Sequence, residues 1–398
     1  MRRQQPVILV GSLLLLMLPV TTQGQTEKGG SGIISKLGSW IDTSTAEGID
    51  STYIEVPERP WQVIAKGFAN QSELNMKSTF NGSQMYQGVV GDITFEPRIR
   101  TAVTSSAGLW VGYRGWGIGY SASIAGDKGV DWDIETSSAR YYAKLRLHSF
   151  EGGDFETRQS GHMADPEDET ATPLPFDFIQ PLYLSSPVKI KTQLLEGVYI
   201  FNSNRFSYTA AYDQSVIQRR SAGSLVAGLR YFHSDYNYAH DSNADLILNM
   251  NDIGRINTWQ ASIGAGYAYN WVPVKGLMVS VLAMPMVTAY NRIKTYTYDS
   301  NYRQMALDEV VHSDDELPQE DYRITLMDTD SRNSRITLNV NSRLSVTYNW
   351  ERWFVNVNGN FYHSRYHYKS HSTSTSFQGK NSGHLNEWSA MLRLGVRL

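Results

Sequence analysis

Cysteine is absent from the 398 residues of this sequence. Its absence excludes disulfide bonds, thiolate metal sites, a cysteine nucleophile and lipid attachment through an N-terminal cysteine. A strong excess of charge is missing too, because 36 basic residues stand against 39 acidic ones and the formal net charge is −3. A chain without a basic excess lacks the electrostatic character of a general nucleic-acid-binding protein, so we expect no nucleic-acid partner.

Long apolar runs are also scarce. After the N-terminus the longest run is the stretch 276–287, which is shorter than the roughly 20 residues of a transmembrane helix. The N-terminus has the parts of a secretory signal peptide: two arginines at positions 2 and 3, an apolar core over 7–20, and small residues up to Gly24. We therefore predict a signal peptide over residues 1–24, cleaved near Gly24. The mature protein is then either soluble outside the cytoplasm or a membrane β-barrel.

Residues 25–60 are predicted to form an N-terminal periplasmic segment. Within it, the apolar residues of "SGIISKLGSWIDTS" recur at helical spacing, at Ile33, Ile34, Leu37, Trp40 and Ile41. This spacing predicts a short amphipathic helix. Two roles stay open for the helix: packing on the mouth of a barrel or the membrane surface, and, less favoured, plugging the barrel.

From residue 61 onwards the apolar residues recur with a period of two, which is the pattern of β-strands. In "TWQASIGAGYAYNWV", residues 258–272, Trp259, Ile263 and Tyr267 share an apolar face, and Ser262 shares a small polar face with two glycines. A strand over 259–271 is more than twice the usual globular length of about 5–6 residues. It is also long enough for the roughly 9–11 residues that cross the hydrocarbon of a membrane.

Two further features favour lipid over a protein core as the environment of the apolar face. Aromatic residues cluster at strand ends beside short turns, as in the interfacial girdle of outer-membrane proteins, at Trp271, Tyr348, Trp350 and Trp353. The connections also alternate between short and long, which is typical of barrels with short periplasmic turns and long external loops. The sequence therefore predicts an all-β fold, a transmembrane antiparallel up-and-down β-barrel over residues 61–398.

About twelve strands are predicted, within a range of ten to fourteen. They are 61–76, 98–113, 116–125, 136–150, 188–202, 205–218, 222–235, 256–271, 276–292, 335–350, 353–366 and 383–398. This assignment places the long segment 151–187 on the side of the short turns, which is inconsistent with the pattern elsewhere. A missed strand near "FDFIQPLYLSS", residues 176–186, would remove the inconsistency.

The block "NRFSYTAAYDQSVIQRRSAGSLVAG", residues 204–228, resembles an outer-membrane β-barrel family of Bacteroidota that is catalogued as a domain of unknown function, number forty-four twenty-one. "DSTYI" at 50–54 and the hairpin "GLWVGYRGWGIGYS" at 108–121 support the resemblance. The motif residues in the block are Phe206, Ser207, Tyr208, Ala210, Ala211, Gln214, Gln218, Ser221, Ala222, Gly223 and Ser224. The resemblance implies a secreted outer-membrane barrel and no activity, catalytic residue or cofactor. Outer-membrane lipid and the barrel-assembly machinery are the partners expected for such a protein.

Basic side chains recur on the polar faces of the predicted strands. They are Arg140, Lys144, Arg146, Arg343, Arg393 and Arg397, against few acids such as Glu196 and Glu387. A basic lumen would attract anionic solutes. Alternatively, basic and acidic side chains pair across the barrel and fill it, and this second interpretation is the favoured one.

Three functional hypotheses follow. The leading one is a structural barrel or a narrow passage for small solutes, with anions favoured by a basic lumen. The second is a surface hydrolase with a His/Asp/Ser site at the rim, for which the candidates are His363 with Ser364, His233 with Asp235 and His312 with Asp314, while His240 with Asp241, His367 and His371 lie in the same loops. Each pair lacks an orienting third group, so an enzyme is less favoured. The third is an adhesin or partner-docking barrel that uses its long loops.

Overall fold

A computed structural model describes residues 31–81, 89–164, 172–182, 184–250, 252–300, 323–333, 336–371 and 378–398. The chain divides into two units, Met1–Thr43 and Ser44–Leu398. The predicted helix forms as α1 (Ser31–Ala46). Among the described residues, no helix combines the length and the apolar composition that crossing a membrane would require. The predicted signal peptide lies outside the described residues.

Twelve antiparallel strands close into a barrel, which confirms the predicted fold class. Each strand pairs with the next around the ring, and the last pairs with the first. In ring order the strands are β2 (Trp61–Asn81), β4 (Thr104–Tyr113), β5 (Trp116–Ala125), β6 (Lys128–Ser137), β7 (Tyr141–Gly152), β10 (Val188–Ile200), β12 (Ala222–Asn237), β13 (Ile253–Val274), β14 (Leu277–Ser300), β16 (Thr337–Trp350), β17 (Trp353–His371) and β18 (Gln378–Arg397).

The remaining elements lie outside the ring. Strand β3 (Asp92–Arg100) pairs with the outer end of β2 and is followed in the sheet by β8 (Asp154–Met163) and β9 (Leu174–Leu182), while β15 (Ile324–Asn333) pairs with the outer end of β14. A two-stranded sheet joins β1 (Ile54–Glu55) and β11 (Ile217–Gln218). Short helices are α2 (Thr209–Tyr212) and α3 (Ala244–Asn249), the latter preceded by a 3₁₀ turn, Asp241–Asn243.

The two ends of the barrel differ. At one end β4–β5, β13–β14 and β16–β17 are joined by tight turns, and Glu351 and Gly276 adopt the left-handed conformation there, with φ of 48° and 86°. At the other end lie the longer connections and the added strands. In outer-membrane barrels the short turns are periplasmic and the long loops external. We name the two ends accordingly, so the end that carries the added strands is called the external end.

Several strands are much longer than a membrane requires. Strand β14 has 24 residues, about 80 Å at roughly 3.3 Å per residue, whereas about 9–11 residues cross the hydrocarbon. The external parts of the strands therefore stand well clear of the lipid.

The faces of each strand match lipid outside and polar groups inside. On β13, Ile263 and Tyr267 point outwards and are 64% and 53% exposed, whereas Gln260, Ser262 and Asn270 point inwards and are buried. This polarity is the reverse of that in a soluble protein, where the apolar face is buried. The alternation in 258–272 thus describes a lipid-facing wall.

One predicted strand is wrong and one strand of the ring was not predicted, and the two errors offset each other in the count. Residues 205–218 do not form a strand of the ring; 206–218 fold into the lumen instead. Strand β6 was not predicted, because its inward residues are acidic and depleted in strands. With β6 in the ring and 205–218 out of it, β8 and β9 lie at the end of the barrel that has the long connections. Strand β9 is the missed strand near residue 176, although it lies outside the ring.

Candidate functional site

The connection between β10 and β12 fills the periplasmic end of the lumen. We call residues 206–218 of this connection the plug. Its side chains are almost all buried, and Phe206, Tyr208 and Ala211 are fully enclosed. They pack with lumen-facing apolar side chains of the surrounding strands, including Tyr142, Val226, Ala268, Met278, Leu282 and Met284. The plug is therefore part of the barrel interior and not a surface turn.

Lumen side chains satisfy the carbonyl groups at the end of α2. The Ala211 carbonyl accepts from Ser345 Oγ at 2.8 Å and from Asn356 Nδ2 at 3.1 Å. The Gln214 carbonyl accepts from Gln62 Nε2 at 2.8 Å and from Arg397 Nη2 at 2.9 Å, and the Tyr212 carbonyl accepts from Arg393. Terminal carbonyls of a helix have no partner within it. Polar side chains from four different strands supply those partners here, and so fix the plug in place.

Two of the family-motif residues close the base of the plug. The side-chain oxygen of Gln218 accepts from Ser207 N at 2.8 Å, and its amide nitrogen donates to the Arg205 and Arg220 carbonyls at 2.6 and 2.9 Å. Asn270 Nδ2 donates to the Ser207 carbonyl at 2.7 Å. The Gln218 side chain thus joins the two ends of the segment and ties them to β13.

The other motif residues lie beside the plug, where β12 begins. Ser221 Oγ accepts from Val272 N and Ser224 Oγ accepts from Asn202 N, both at 2.9 Å. A Cβ on Gly223 would lie 2.1 Å from the Tyr267 hydroxyl, so the Tyr267 side chain packs directly over this glycine and would have to move to admit a larger residue. The motif that carries the family resemblance is therefore a structural device that builds and anchors the plug.

Asp213 is a buried carboxyl group within the plug, outside the membrane-spanning strands. Its Oδ1 accepts from Ser215 N at 2.8 Å. Burial raises the pKa of Asp213 to about 7, and the hydrogen bonds from Ser215 only partly oppose this effect. The carboxyl group is thus close to half-protonated at neutral pH.

Asp213 is expected to make the stability of the barrel depend on pH. Because its pKa in the folded protein lies above the usual 3.8, the folded state holds a proton that the unfolded state has lost, and stability falls as pH rises from about 4 to about 7. Between pH 5 and pH 8 we expect a loss of about 2–3 kcal/mol in urea unfolding. Asp213→Asn should remove most of this slope, and an unchanged slope would contradict the assignment.

A layer of charged side chains crosses the lumen above the plug. Lys66 pairs with Asp133, Lys144 with Glu135 at 2.7 Å, and Arg146 with Asp131. Glu196 on β10 receives Arg343 from β16 and Arg230 from β12, the latter at 3.2 Å. Arg230 also reaches Glu387 and Arg393 also reaches Glu135, each at 3.3 Å. Four of these ion pairs cross the lumen between strands that are not neighbours: Lys66–Asp133, Arg343–Glu196, Arg230–Glu387 and Arg393–Glu135. The other three join neighbouring strands.

Of the basic residues predicted to face the lumen, Lys144, Arg146, Arg343 and Arg393 lie in this layer. Arg140 does not, because it lies in the turn between β6 and β7 and is exposed. The expectation of few acids is wrong. Strand β6 contributes three, Asp131, Asp133 and Glu135. The signal for them was present, since they alternate with Val130, Trp132 and Ile134 over the length of a strand.

A small polar cavity remains inside the charged layer. Its volume is about 110 Å³, and its lining includes Tyr142, Asn341 and Asn358 besides the charged groups. Water takes up about 30 Å³ per molecule in the liquid, so the cavity has room for a few water molecules. Buried polar atoms without a protein partner, Arg146 Nη2 and Arg343 Nε among them, are available to bind such waters.

An apolar cluster, here called the cap, occupies the external end of the lumen. Leu246, Ile247 and Met250 from the β12–β13 connection are buried against Phe155, Ile190, Ile256 and Leu385. Asn243 holds this connection: Nδ2 donates to the Ser186 and Tyr238 carbonyls, and Oδ1 accepts from the Ser185 and Ser186 amides, at 2.9–3.1 Å. Plug, charged layer and cap thus fill three successive levels of the lumen.

The rim histidines do not form the predicted dyads among the described residues. His233 stacks on Trp259, with ring centroids 5.0 Å apart, while Asp235 binds Arg255. His363 contacts Asn386 on the outer wall, but Ser364 points inwards and binds Gln260. His312 and Asp314 lie outside the described residues, as do the side chains of His367 and His371. Within the described part of the chain, no group of three or more His, Asp or Glu side chains is placed to hold a metal ion.

The family model described as "Domain of unknown function (DUF4421)" matches residues 49–382. No curated protein matches the sequence. Among solved structures, the translocator domain of autotransporter NalP from Neisseria meningitidis is similar over 92% of this chain and 96% of its own, at 9% identity and a TM-score of 0.28. The outer membrane protease OmpT from Escherichia coli is similar over 86% and 98%, at 8% identity and a TM-score of 0.29. The P. putida toluene transporter TodX is similar over 89% and 94%, at 8% identity and 0.26. Similarity at this level does not extend to activity.

Proposed function

This chain belongs to the DUF4421 family, whose description assigns no activity, and we propose that it acts in the outer membrane as a closed barrel that anchors an external β-sheet collar. The collar consists of β3, β8, β9 and β15, together with the ends of β2 and β14 with which they pair. In this proposal the working surface is the collar, and the lumen is a filled structural core.

The filled lumen is the observation that carries the proposal. Barrels of 8 strands are filled by their own side chains, and those of 16–18 strands leave an aqueous channel. A barrel of 12 strands lies between these limits. Here the plug fills the part of the lumen that side chains of the wall would leave open. The ion pairs of the charged layer occupy the level above it.

The collar supports the second half of the proposal. It adds four strands beyond the membrane, and its outermost strand β9 exposes Leu174, Phe178 and Ile179. A protein that only sealed a lipid bilayer would have no use for ordered sheet on its external side. This arrangement fits the partner-docking hypothesis better than the passage hypothesis.

Conductance in planar lipid bilayers tests the closed state. We expect purified protein, folded as judged by its altered gel migration before heating, to give no stepwise currents at moderate voltage. Liposomes containing it should show no swelling in small sugars or salts. Regular channel openings from the unmodified protein would contradict the proposal.

A gated passage for small anions is the second candidate. It is favoured by the polar cavity between plug and cap, and by the small excess of cations around it. The described residues of this layer are six cations, Lys66, Lys144, Arg146, Arg230, Arg343 and Arg393, and five carboxylates, Asp131, Asp133, Glu135, Glu196 and Glu387.

Reversal potentials in a salt gradient test this second candidate in a barrel whose plug has been replaced. We expect a modest preference for anions, by analogy with pores whose walls carry one sign of charge. Arg146→Gln should weaken that preference, and Arg140→Gln, in the exposed turn, should leave it unchanged. Equal permeability to cations and anions would rule out a basic selectivity layer.

A further inference from the structure

The outer wall of the barrel carries a concentrated positive surface on its external half. Cross-strand pairing in β10, β12, β13 and β14 sets outward side chains in rows. One row contains Gln193, His233, Trp259 and Arg292; the next contains Lys191, Asp235, Asn257 and Lys294; the third contains Lys189, Asn237, Arg255 and Tyr296. We call the cations of these rows, Lys189, Lys191, Arg255, Arg292 and Lys294, the cationic face.

The cationic face lies directly above the lipid-facing surface. The row beneath it contains Leu195, Tyr231, Ala261 and Tyr290, and the next contains Leu229, Ile263 and Val287. Tyrosine and tryptophan mark the level of the headgroups at a membrane surface. The cationic face therefore begins at the height of the headgroups of the external leaflet.

The charge of this face is largely uncompensated. On β10, β12, β13 and β14 these rows contain one carboxylate, Asp235, and Arg255 binds both of its oxygens, at 2.8 and 2.6 Å. On the neighbouring strand β7, Glu151 lies opposite both Lys189 and Lys128 of β6, so it adds one carboxylate and one cation to the row of Lys189. Arg292 donates to Ser331 Oγ at 2.7 Å, and Lys294 lies 4.6 Å from the centre of the Tyr296 ring. Among the described side chains, none of Lys189, Lys191, Arg292 and Lys294 is in an ion pair.

The opposite flank of the barrel shows that such an excess is not general. There the outward cations are matched: Lys77 pairs with Glu96, Arg98 with Glu73 and Glu156, and Arg158 with Asp177. Both flanks stand at the external end of long strands. On the flank formed by β10, β12, β13 and β14, four of the five cations have no carboxylate partner among the described side chains and are open to an external anion.

We propose that the cationic face binds the phosphate groups of a phosphorylated glycolipid of the external leaflet, of the lipid A class. Guanidinium and ammonium groups are the side chains that bind phosphate most strongly. Arg292 and Lys294 lie on β14, and Lys189 and Lys191 lie on β10, three strand spacings away, or about 14 Å. Two cation pairs at this separation suit a disaccharide headgroup with a phosphate at each end, while the apolar rows below contact its acyl chains.

Binding of lipid A to the detergent-solubilised, folded protein tests the proposal. The probes are bisphosphorylated lipid A and its fully dephosphorylated form, presented in mixed micelles. A triple variant, Lys191→Gln/Arg292→Gln/Lys294→Gln, is compared with a control, Lys77→Gln/Arg158→Gln, in which exposed cations of the opposite flank are removed. A basic side chain at an anionic membrane surface contributes a factor of about five in binding.

We expect the triple variant to bind bisphosphorylated lipid A at least about tenfold more weakly than the unmodified protein, and the control to bind it equally well. Dephosphorylated lipid A should bind the unmodified protein as weakly as the triple variant binds the phosphorylated form. Equal affinity of the unmodified protein for both lipids, or equal losses in both variants, would overturn the proposal.

A single variant keeps the test decisive if the triple variant does not fold. Lys191→Gln replaces an exposed side chain that forms no ion pair with the described residues, so it should leave gel migration unchanged and weaken binding by about fivefold. No loss in this folded variant would also overturn the proposal. Conductance does not enter this test, so its outcome is independent of whether the lumen is closed.

Discussion

We expect that replacing the plug by a flexible linker converts a barrel that conducts no ions into one that conducts them. In the variant, residues 206–218 are exchanged for a glycine–serine linker, while the twelve strands are retained. The charged layer consists of side chains of the barrel wall, and the cap belongs to an external connection. The plug belongs to neither, so its loss opens the periplasmic half of the lumen. The charged layer then faces water, and its ion pairs weaken because the surrounding dielectric constant rises.

Stepwise currents in planar bilayers measure this change. We expect frequent openings from the linker variant where the unmodified protein gives none. The matched control is Arg219→Ser/Arg220→Ser, which alters exposed positions of the same connection and leaves the plug intact; it should stay silent. A linker variant that folds, migrates normally on gels and still gives no current would show that the cap and the charged layer seal the barrel without the plug.

The class of fold was predictable because the physics of lipid acts on every strand. A wall between lipid and a polar interior imposes period-two alternation, long strands and aromatic ends, and all three are visible in residues 258–272. The count of twelve agrees because the missed strand β6 and the strand wrongly predicted over 205–218 cancel. The alternation does not show whether a segment with that pattern forms a strand of the wall or folds into the lumen.

Residues 206–218 show this limit. Phe206, Tyr208 and Ala210 alternate with polar residues as in a strand, yet they form an irregular segment around a single turn of helix. Only the partners on other strands distinguish the two structures: Ser345, Asn356, Gln62 and Arg397 provide the donors that a neighbouring strand would otherwise provide. Contacts between residues so distant in the sequence leave no local pattern.

The sequence predicted the basic residues of the charged layer better than its acidic residues. Basic residues on polar faces predicted lumen-facing cations. Of the six named, four lie in the layer and Arg397 binds the plug below it. Glu196 and Glu387 were identified, but Asp131, Asp133 and Glu135 were missed because strand β6 was missed. Arg140 was misplaced because β7 begins only at Tyr141. The interpretation favoured from the sequence, in which basic and acidic side chains pair across the barrel, agrees with the ion pairs of the layer, but the undetected strand β6 left three of its carboxylates unassigned.

Glu196 is the position where loss of a single charge should cost the most stability. It is 5% exposed and accepts from two guanidinium groups, Arg230 and Arg343. Removing the carboxylate leaves Arg343 without a carboxylate partner among the described side chains and Arg230 with Glu387 alone, and an unpaired buried charge typically costs about 3–5 kcal/mol. We therefore expect Glu196→Ala to lower the free energy of unfolding by at least about 3 kcal/mol in urea titrations of the protein in lipid vesicles.

Two comparison variants separate charge from the loss of a side chain. Glu156→Ala removes the carboxylate of an ion pair with Arg98 that is largely exposed, and surface pairs contribute only about 0–1 kcal/mol. Glu196→Ala/Arg343→Met removes the Arg343 cation together with the carboxylate that it binds, and should recover part of the lost stability. Equal small losses of stability in Glu196→Ala and Glu156→Ala would mean that water reaches the charged layer freely. An interior with enough water to screen these guanidinium groups would argue against a closed barrel.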